Sequence, residues 1–161
     1  MTIHVIEVKL KVDKHSSAAV TRKFRDLTKA VKDTKPANIQ VARWLLRWVN
    51  DNFVSEGGKV GGWAPFKAGG RWIRQKGKKP YLDTNAKLLQ HTGHLRLKFH
   101  SFATKTSAGI GNNQPYSIYH ELGLPTGKLP ARRMLPNETD DDVSDAVIKI
   151  YDWHMERAIR R

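Results

Sequence analysis

The stretch from Gly57 to Met134 constrains the fold of this chain more than any other part of the sequence. Short helical turns and short alternating runs follow one another within it, and glycine or proline ends most of them. Its centre, residues 88–123, reads LLQHTGHLRLKFHSFATKTSAGIGNNQPYSIYHELG. The longer periodic segments lie before and after this stretch. The sequence therefore predicts a middle of small elements, with an N-terminal strand and long helices arranged around it.

The length and composition bound the class of protein. A chain of 161 residues is long enough for one domain with a hydrophobic core, so we expect a single domain over residues 1–161. Mean hydropathy is -0.58, and no window approaches the ~18 consecutive apolar residues of a membrane span. The chain has no cysteine, which excludes disulfides and thiolate metal sites. These totals predict synthesis in the cytoplasm and no membrane partner.

The net charge of +14 is unevenly distributed along the chain. Residues 57–137 contain 14 lysines and arginines and only two acids, Asp83 and Glu121. The final helical segment reverses this balance, because it contains Asp140, Asp141, Asp142, Asp145, Asp152 and Glu156. This asymmetry is compatible with nucleic-acid contact, with head-to-tail association of complementary faces, or with a solvated basic surface.

The periodic patterns predict an α+β fold. Alternating residues predict a strand over 2–12 and a hairpin over 95–112, with its turn near 105–107. Helical spacing predicts helices over 18–32, 37–54 and 139–160, and a short helical turn over 116–123. We expect the strands to form one mixed or antiparallel sheet that the three long helices cover.

The predicted helices carry end signals and apolar stripes. Ser16 and Ser17 are predicted to cap the first helix, whose apolar stripe is Val20, Phe24, Leu27 and Val31. The second helix has the widest apolar arc and is expected to be the most buried, with Trp44 as a core residue by default. Thr139 and Asp142 suggest a capping box for the last helix, and its two apolar stripes predict cover on more than one side.

A long basic loop is predicted over residues 57–83. Glycine pairs interrupt it, and aromatic side chains alternate with lysines and arginines. Aromatic and basic residues together are typical of protein interfaces and of surfaces that stack bases. The same pattern also suits a basic loop whose aromatics pack against their own domain, so all three interpretations stay open. Pro125 and Pro130 predict a second extended segment, an arm over residues 124–136.

No motif for catalysis or metal binding is present in the sequence. His91 and His94 lack a third ligand, and His120-Glu121 lacks the second histidine of a zinc-binding helix. We expect His120 to make a packing hydrogen bond. The middle contains no nucleophile elbow, phosphate-binding loop or pair of catalytic carboxylates. The sequence therefore predicts a protein that is not an enzyme and has no cofactor.

The middle of the chain resembles the phage virion morphogenesis family, the tail completion and head–tail joining proteins, over about half of the sequence. The residues that carry the resemblance are, in order, Trp63, Pro65, Phe66, Leu89, Thr92, Gly93, Leu95, Ile110, Gly111, Tyr116, His120, Gly123, Pro130, Ala131 and Arg132. The chain departs from the family where Arg133-Met134-Leu135-Pro136 replaces a sequence like Pro-Phe-Leu-Gly. The strand through Val12 also looks like an addition.

The resemblance implies a structural virion protein, assembled in the cytoplasm of the infected bacterium. It implies a homo-oligomeric ring, expected to be a hexamer, that meets the tail tube protein and the head–tail connector, with DNA passing through the lumen. The residues expected to contact neighbouring subunits or these partners are Trp63, Pro65, Phe66, Arg71, Trp72, Arg74, Tyr81, Pro130, Arg132 and Arg133. Those expected to maintain the subunit are Leu89, Thr92, Gly93, Leu95, Gly111, Tyr116, His120 and Gly123.

Two other functions compete with this expectation. A basic nucleic-acid-binding protein would use the loop to bind phosphates, and its affinity would fall steeply with salt. A cell-wall hydrolase would need a cleft that holds a carboxylate of raised pKa, for which Asp83 and Glu121 are the acids available in the middle. We rank the hydrolase last.

Overall fold

The computed structural model describes residues 14–137 and 139–160, and the predicted strand over 2–12 lies outside them. Five helices and two small antiparallel sheets form an α+β fold, as predicted. The helices are α1 (Lys14–Lys32), α2 (Lys35–Val54), α3 (His94–Leu97), α4 (Ser117–Leu122) and α5 (Asp141–Ile159), with a 3-10 turn at Gly58–Val60. The strands are β1 (Arg71–Ile73), β2 (Tyr81–Asp83), β3 (Phe99–Ala103) and β4 (Ala108–Asn112).

The long loop predicted over 57–83 is wrong in part, because it contains the β1–β2 hairpin. Trp72 pairs with Leu82 in the centre of its antiparallel register. Strands of three residues are too short to show alternation, and so the sequence pattern does not reveal them. Gly70 permits the close approach of the two segments, since a Cβ there would lie 2.6 Å from the carbonyl oxygen of Asp83. Within the described residues this hairpin and β3–β4 are separate sheets, and the expected pairing of the 2–12 strand with the second hairpin lies outside those residues.

The second hairpin begins later than predicted. Leu95 lies in α3, and β3 starts only at Phe99, which pairs with Asn112. Gly93 starts α3 with a φ of 71°, and the N–H of Leu97 donates to its carbonyl oxygen at 2.9 Å. This turn places Leu95 in the core, where it is 4% exposed. The predicted alternating strand would have buried Leu95 as well, although through a different element. The predicted turn position is confirmed, since β3 and β4 are joined by residues 104–107.

The core is built around the C-terminal half of α2, as its wide apolar arc predicts. Its buried members are Trp48, Val49, Phe53, Trp63, Leu88, Leu95, Phe99 and Met134. Three of these aromatic rings meet edge to face, with Phe53 5.1 Å from Trp63 and 5.8 Å from Phe99 between ring centroids. Trp44 is half-buried and packs against the edge of this cluster.

The first helix does not pack as its pattern predicts. It starts at Lys14, so Ser16 and Ser17 lie inside its first turns and are not caps. The apolar stripe was expected to face the core, but Val20, Phe24 and Val31 are more than half exposed. Periodicity predicts that a helix has an apolar face, but it does not predict which element covers that face. Among the described helices, α5 is the one with which α1 makes extensive contacts.

Helix α5 packs against both α1 and α2, so its own domain covers it on two sides. The predicted capping box is wrong. Asp140 is the N-cap residue, and the Thr139 hydroxyl donates to the side-chain oxygen of Asn137 at 2.7 Å. Asp142 instead accepts hydrogen bonds from the Trp48 indole at 3.0 Å and from Lys59 at 3.1 Å. Among the described helices, none combines the length and apolar character needed to cross a membrane.

Acid should weaken the junction between the arm and α5 through Asp140. Burial alone would raise its pKa. The bidentate pair with Arg133, at 2.7 and 3.0 Å, and the N–H of Asn137 outweigh burial and lower the pKa below 3.8. The resulting stability is present above pH 3.8 and is lost as the pH falls through the lowered pKa.

We expect Asp140→Asn to cost about 1–3 kcal/mol at pH 7 and to flatten the acid branch of a melting-temperature profile. The exposed neighbour Asp141 provides the control, since Asp141→Asn removes the same charge without breaking the pair. Equal acid branches in the wild type and in Asp140→Asn would show that Asp140 does not control this transition.

Candidate interaction surface

Most of the family-motif residues meet in one pocket of about 430 Å³, here called the motif pocket. Four segments separated in sequence form its walls: residues 65–71, 87–95, 116–120 and 128–132. The predicted residues that line it are Pro65, Phe66, Arg71, Leu89, Thr92, Leu95, Tyr116, His120, Pro130 and Arg132. Residues predicted as interaction sites and residues predicted as structural are therefore mixed in its lining.

The arm forms one wall because α4 holds it. The N–H of Arg132 donates to the carbonyl oxygen of His120 at 2.6 Å, and the N–H of Leu124 donates to that of Leu129 at 2.9 Å. Gly123 ends α4 with a φ of 74°, and a Cβ there would lie 2.8 Å from the backbone nitrogen of Ala131. Only glycine fits this close approach, which explains its place in the motif.

Arg132 joins the arm to the loop that precedes β1. It is 6% exposed, and its guanidinium donates to the carbonyl oxygens of Ala64 at 2.9 Å and Pro65 at 3.5 Å. Burial lowers its pKa. Among the described residues, no carboxylate forms an ion pair with this guanidinium. The pocket wall therefore holds a buried cation that is bonded to neutral oxygens.

His120 does not make the packing hydrogen bond that was expected of its side chain. Its Nδ1 is buried without a hydrogen-bond partner among the residues that the structure describes. Its ring meets the edge of Tyr116 at 6.0 Å between ring centroids. Burial and the nearby charge of Arg132 lower its pKa, so the ring is neutral at pH 7.

Glu121 anchors the arm and lies outside the lining of the motif pocket. Its carboxylate accepts hydrogen bonds from the N–H of Met134 at 2.7 Å and of Leu135 at 3.3 Å. Burial raises its pKa, although these bonds and the charge of Arg133 act in the opposite direction. A hydrolase would require this carboxylate to face a cleft, and here it binds backbone instead. Asp83, the other acid, accepts from the N–H of Asn85 at 3.0 Å.

Two predicted interaction residues are buried in the subunit, and a third, Arg133, is partly exposed and held by an intramolecular ion pair. Trp63 is 6% exposed, and its indole N–H donates to the carbonyl oxygen of Arg133 at 2.8 Å. Arg132 is equally buried, and Arg133 forms the ion pair with Asp140. These contacts account for all three side chains without a partner protein. A role for them in contacts between subunits stays a prediction that better-exposed residues test more cleanly.

The β1–β2 hairpin presents three exposed members of the predicted set. Trp72 is 59% and Tyr81 51% exposed, and Arg74 is also exposed. Three lysines at the turn, Lys76, Lys78 and Lys79, are exposed beside them. The register places Trp72 and Tyr81 on opposite faces of the hairpin, so each face offers one exposed aromatic ring near cations to a protein partner or to nucleic acid.

Helix α4 exposes an apolar patch that sequence reasoning missed. Ile118 is 55%, Tyr119 52% and Leu122 71% exposed. The available signal was the crowding of apolar residues on a helix of six residues, which cannot turn all its large side chains inward. Apolar groups clustered on a surface mark interaction sites more often than isolated ones do.

Several family-motif residues also shape the backbone of the segments that form and support the pocket. Leu89 adopts a positive φ of 58°, and the hydroxyl of Thr92 accepts from the N–H of His94 at 3.4 Å. Gly111 lies in β4 against His100, whose ring would be 3.3 Å from an added Cβ. No group of three histidine, aspartate or glutamate side chains in the described ranges is placed to hold a metal ion.

Comparison with known proteins places the chain in a family. The sequence model of the phage virion morphogenesis family matches residues 15–156, a longer range than the residues that carry the resemblance. Searches among curated proteins and among solved structures found no match. The matched range includes all five helices except the first residue of α1 and the last three of α5, together with both hairpins and the motif pocket. The chain therefore belongs to the phage virion morphogenesis family.

Proposed function

We propose that this protein is a tail completion protein of a tailed bacteriophage, which assembles as a ring at the end of the tail tube and joins it to the head connector. Membership of the phage virion morphogenesis family carries the proposal. The ring, expected to be a hexamer, would lie at the neck of the virion, and DNA would pass through its lumen.

The exposed surfaces of the subunit support a role in assembly. A ring subunit needs two different faces that meet around the axis, and it needs further surfaces for the tube and the connector. The α4 patch and the β1–β2 hairpin expose large side chains that a monomer in solution has no reason to display. The opposed charges of the basic middle and the acidic α5 would orient subunits as they meet.

The hairpin tests this proposal through the combined variant Trp72→Ser and Tyr81→Ser. We expect purified wild-type protein to form a ring-sized species, alone or on addition of tail tubes, measured by light scattering on a sizing column. The hairpin variant should lose tube binding by at least about tenfold, since exposed aromatic anchors dominate such interfaces. Electron microscopy would show tubes without terminal rings.

The matched control is Val54→Ser, which removes an exposed apolar side chain at the end of α2. It should leave assembly unchanged. A wild-type protein that neither forms rings nor binds tubes would refute the proposed function. If the hairpin variant gave tubes with normal terminal rings, the hairpin would be excluded as the surface that contacts the tail tube.

A second candidate function is nucleic-acid binding, which the exposed aromatics and cations of the hairpin favour. Tight binding of DNA by the isolated monomer, with an affinity that falls steeply with salt, would support it. Weak DNA binding by an assembled ring would not, because DNA traverses a head–tail junction in either case.

A further inference from the structure

The charged side chains that line the motif pocket, among the described residues, are all basic. Its basic side chains are Lys67, Arg71, Lys87, Lys128 and Arg132, and no aspartate or glutamate lines it. Leucines and prolines form much of the remaining surface, together with Phe66. A concave site of this kind suits a ligand that combines an apolar group with carboxylates or other anions.

The buried charge of Arg132 strengthens this requirement. Among the described residues, the Arg132 guanidinium bonds to backbone carbonyls and pairs with no carboxylate, and a buried charge is costly unless it is paired. The buried Nδ1 of His120 beside it also has no partner among the described residues. This uncompensated charge adds to the positive potential of the pocket, which therefore favours an anionic partner.

Helix α5 presents a face complementary to this pocket. Asp145, Ile148 and Asp152 recur at intervals of three and four residues, so they lie on one side of the helix. Ile148 is 58% exposed, and neither aspartate forms an ion pair with another described residue. An exposed apolar side chain therefore lies between two carboxylates, with the exposed Lys149 on the same side of the helix, on an element that contributes nothing to the pocket lining.

We infer that the motif pocket receives the α5 face of a second copy of this chain, with Ile148 over the apolar lining and Asp145 and Asp152 beside Lys67 and Lys128, two exposed lysines that form its rim. Pocket and face are different surfaces of the same subunit. Such contacts are head-to-tail, and they close into a ring when the rotation between subunits allows it. The inference rests on the proposed function and specifies the contact between its subunits.

Charge reversal on the full-length chain tests this contact. One variant reverses the rim, K67E with K128E; another reverses the helix, D145K with D152K; a third combines all four. Sedimentation at low salt measures self-association, and circular dichroism checks folding. We expect each double variant to associate at least about 100-fold more weakly, since like charges at a contact cost several kcal/mol. The quadruple variant should recover association, because the reversed charges again attract.

The control matched to the rim variant is K23E with R25E, which makes the same change in net charge as K67E with K128E, on exposed positions of α1. It should associate like the wild type. The inference is overturned if either double variant associates normally, if the quadruple variant stays dissociated, or if the wild type remains monomeric up to about 1 mM. It is also overturned if the rim variant loses only DNA binding.

The two proposals fail separately. Rings that form and terminate tubes with the rim reversed would leave the proposed function intact and remove this contact. A wild type that forms no ring and binds no tube would refute the proposed function itself.

Discussion

Trp63→Ala is expected to lower the free energy of unfolding by about 3–5 kcal/mol, the usual cost of truncating a large buried aromatic. The side chain is 6% exposed and meets Phe53 edge to face. Its indole N–H also donates to the carbonyl oxygen of Arg133, so the truncation breaks a bond to the arm as well as opening a cavity. Urea unfolding followed by circular dichroism measures the loss.

Trp72→Ala provides a control of the same residue type. Trp72 is 59% exposed, and its truncation should change the free energy of unfolding by no more than about 0.5 kcal/mol. Assembly should respond in the opposite way, since the proposed function gives the exposed tryptophan a contact with a partner. Equal losses of stability in the two variants would contradict the assignment of Trp63 to the core and Trp72 to the surface.

Gly123→Ala is expected to cost about 3 kcal/mol or more, a large effect for one methyl group. The residue has φ 74° and ψ 177°, a conformation that is essentially restricted to glycine. The new Cβ would also lie 2.8 Å from the backbone nitrogen of Ala131 and 3.0 Å from the carbonyl oxygen of Leu129. Relief of that overlap would displace the arm from α4. Thermal unfolding and hydrogen exchange at Arg132 would detect both effects.

Gly127→Ala separates backbone conformation from steric overlap. Gly127 also has a positive φ, 68°, but nothing lies within 4 Å of an added Cβ. Its substitution should cost about 1 kcal/mol and leave exchange at Arg132 unchanged. If the two alanine variants lost the same stability, the contact between Gly123 and the arm would contribute nothing.

The long helices could be predicted from sequence because each repeats its pattern over many turns. Helix α2 combines a wide apolar arc with Pro36 in its first turn, and both signals are local. Helix α5 was predicted for similar reasons, although its cap was misassigned to Thr139. The actual N-cap residue is Asp140, whose side chain forms an ion pair with Arg133. The sequence pattern of a capping box does not include such an ion pair, and so it does not indicate Asp140.

The motif pocket could not be predicted from the sequence, because it is formed by contacts between residues that lie far apart in the chain. The bond from Arg132 to Ala64 spans 68 residues. No periodicity encodes such a contact, and the motif identified the participants without indicating which of them meet. The error at α1 has another physical cause: Val20 and Phe24 follow the spacing of a buried stripe, but no described helix packs on that side.

The attachment of the arm limits domain swapping, in which two copies of a chain would exchange this segment. Met134 is 1% exposed, and its backbone is held by the Glu121 carboxylate and by the side-chain amide of Asn52. Releasing residues 129–135 would therefore open the hydrophobic core of the donor subunit. Domain swapping through this segment would disrupt much of the hydrophobic core, although proline-rich arms often mediate domain swapping in other proteins. In the ring proposed above, neighbouring copies would meet as rigid, preformed bodies, and a mixture of labelled and unlabelled rings should exchange whole subunits by dissociation alone.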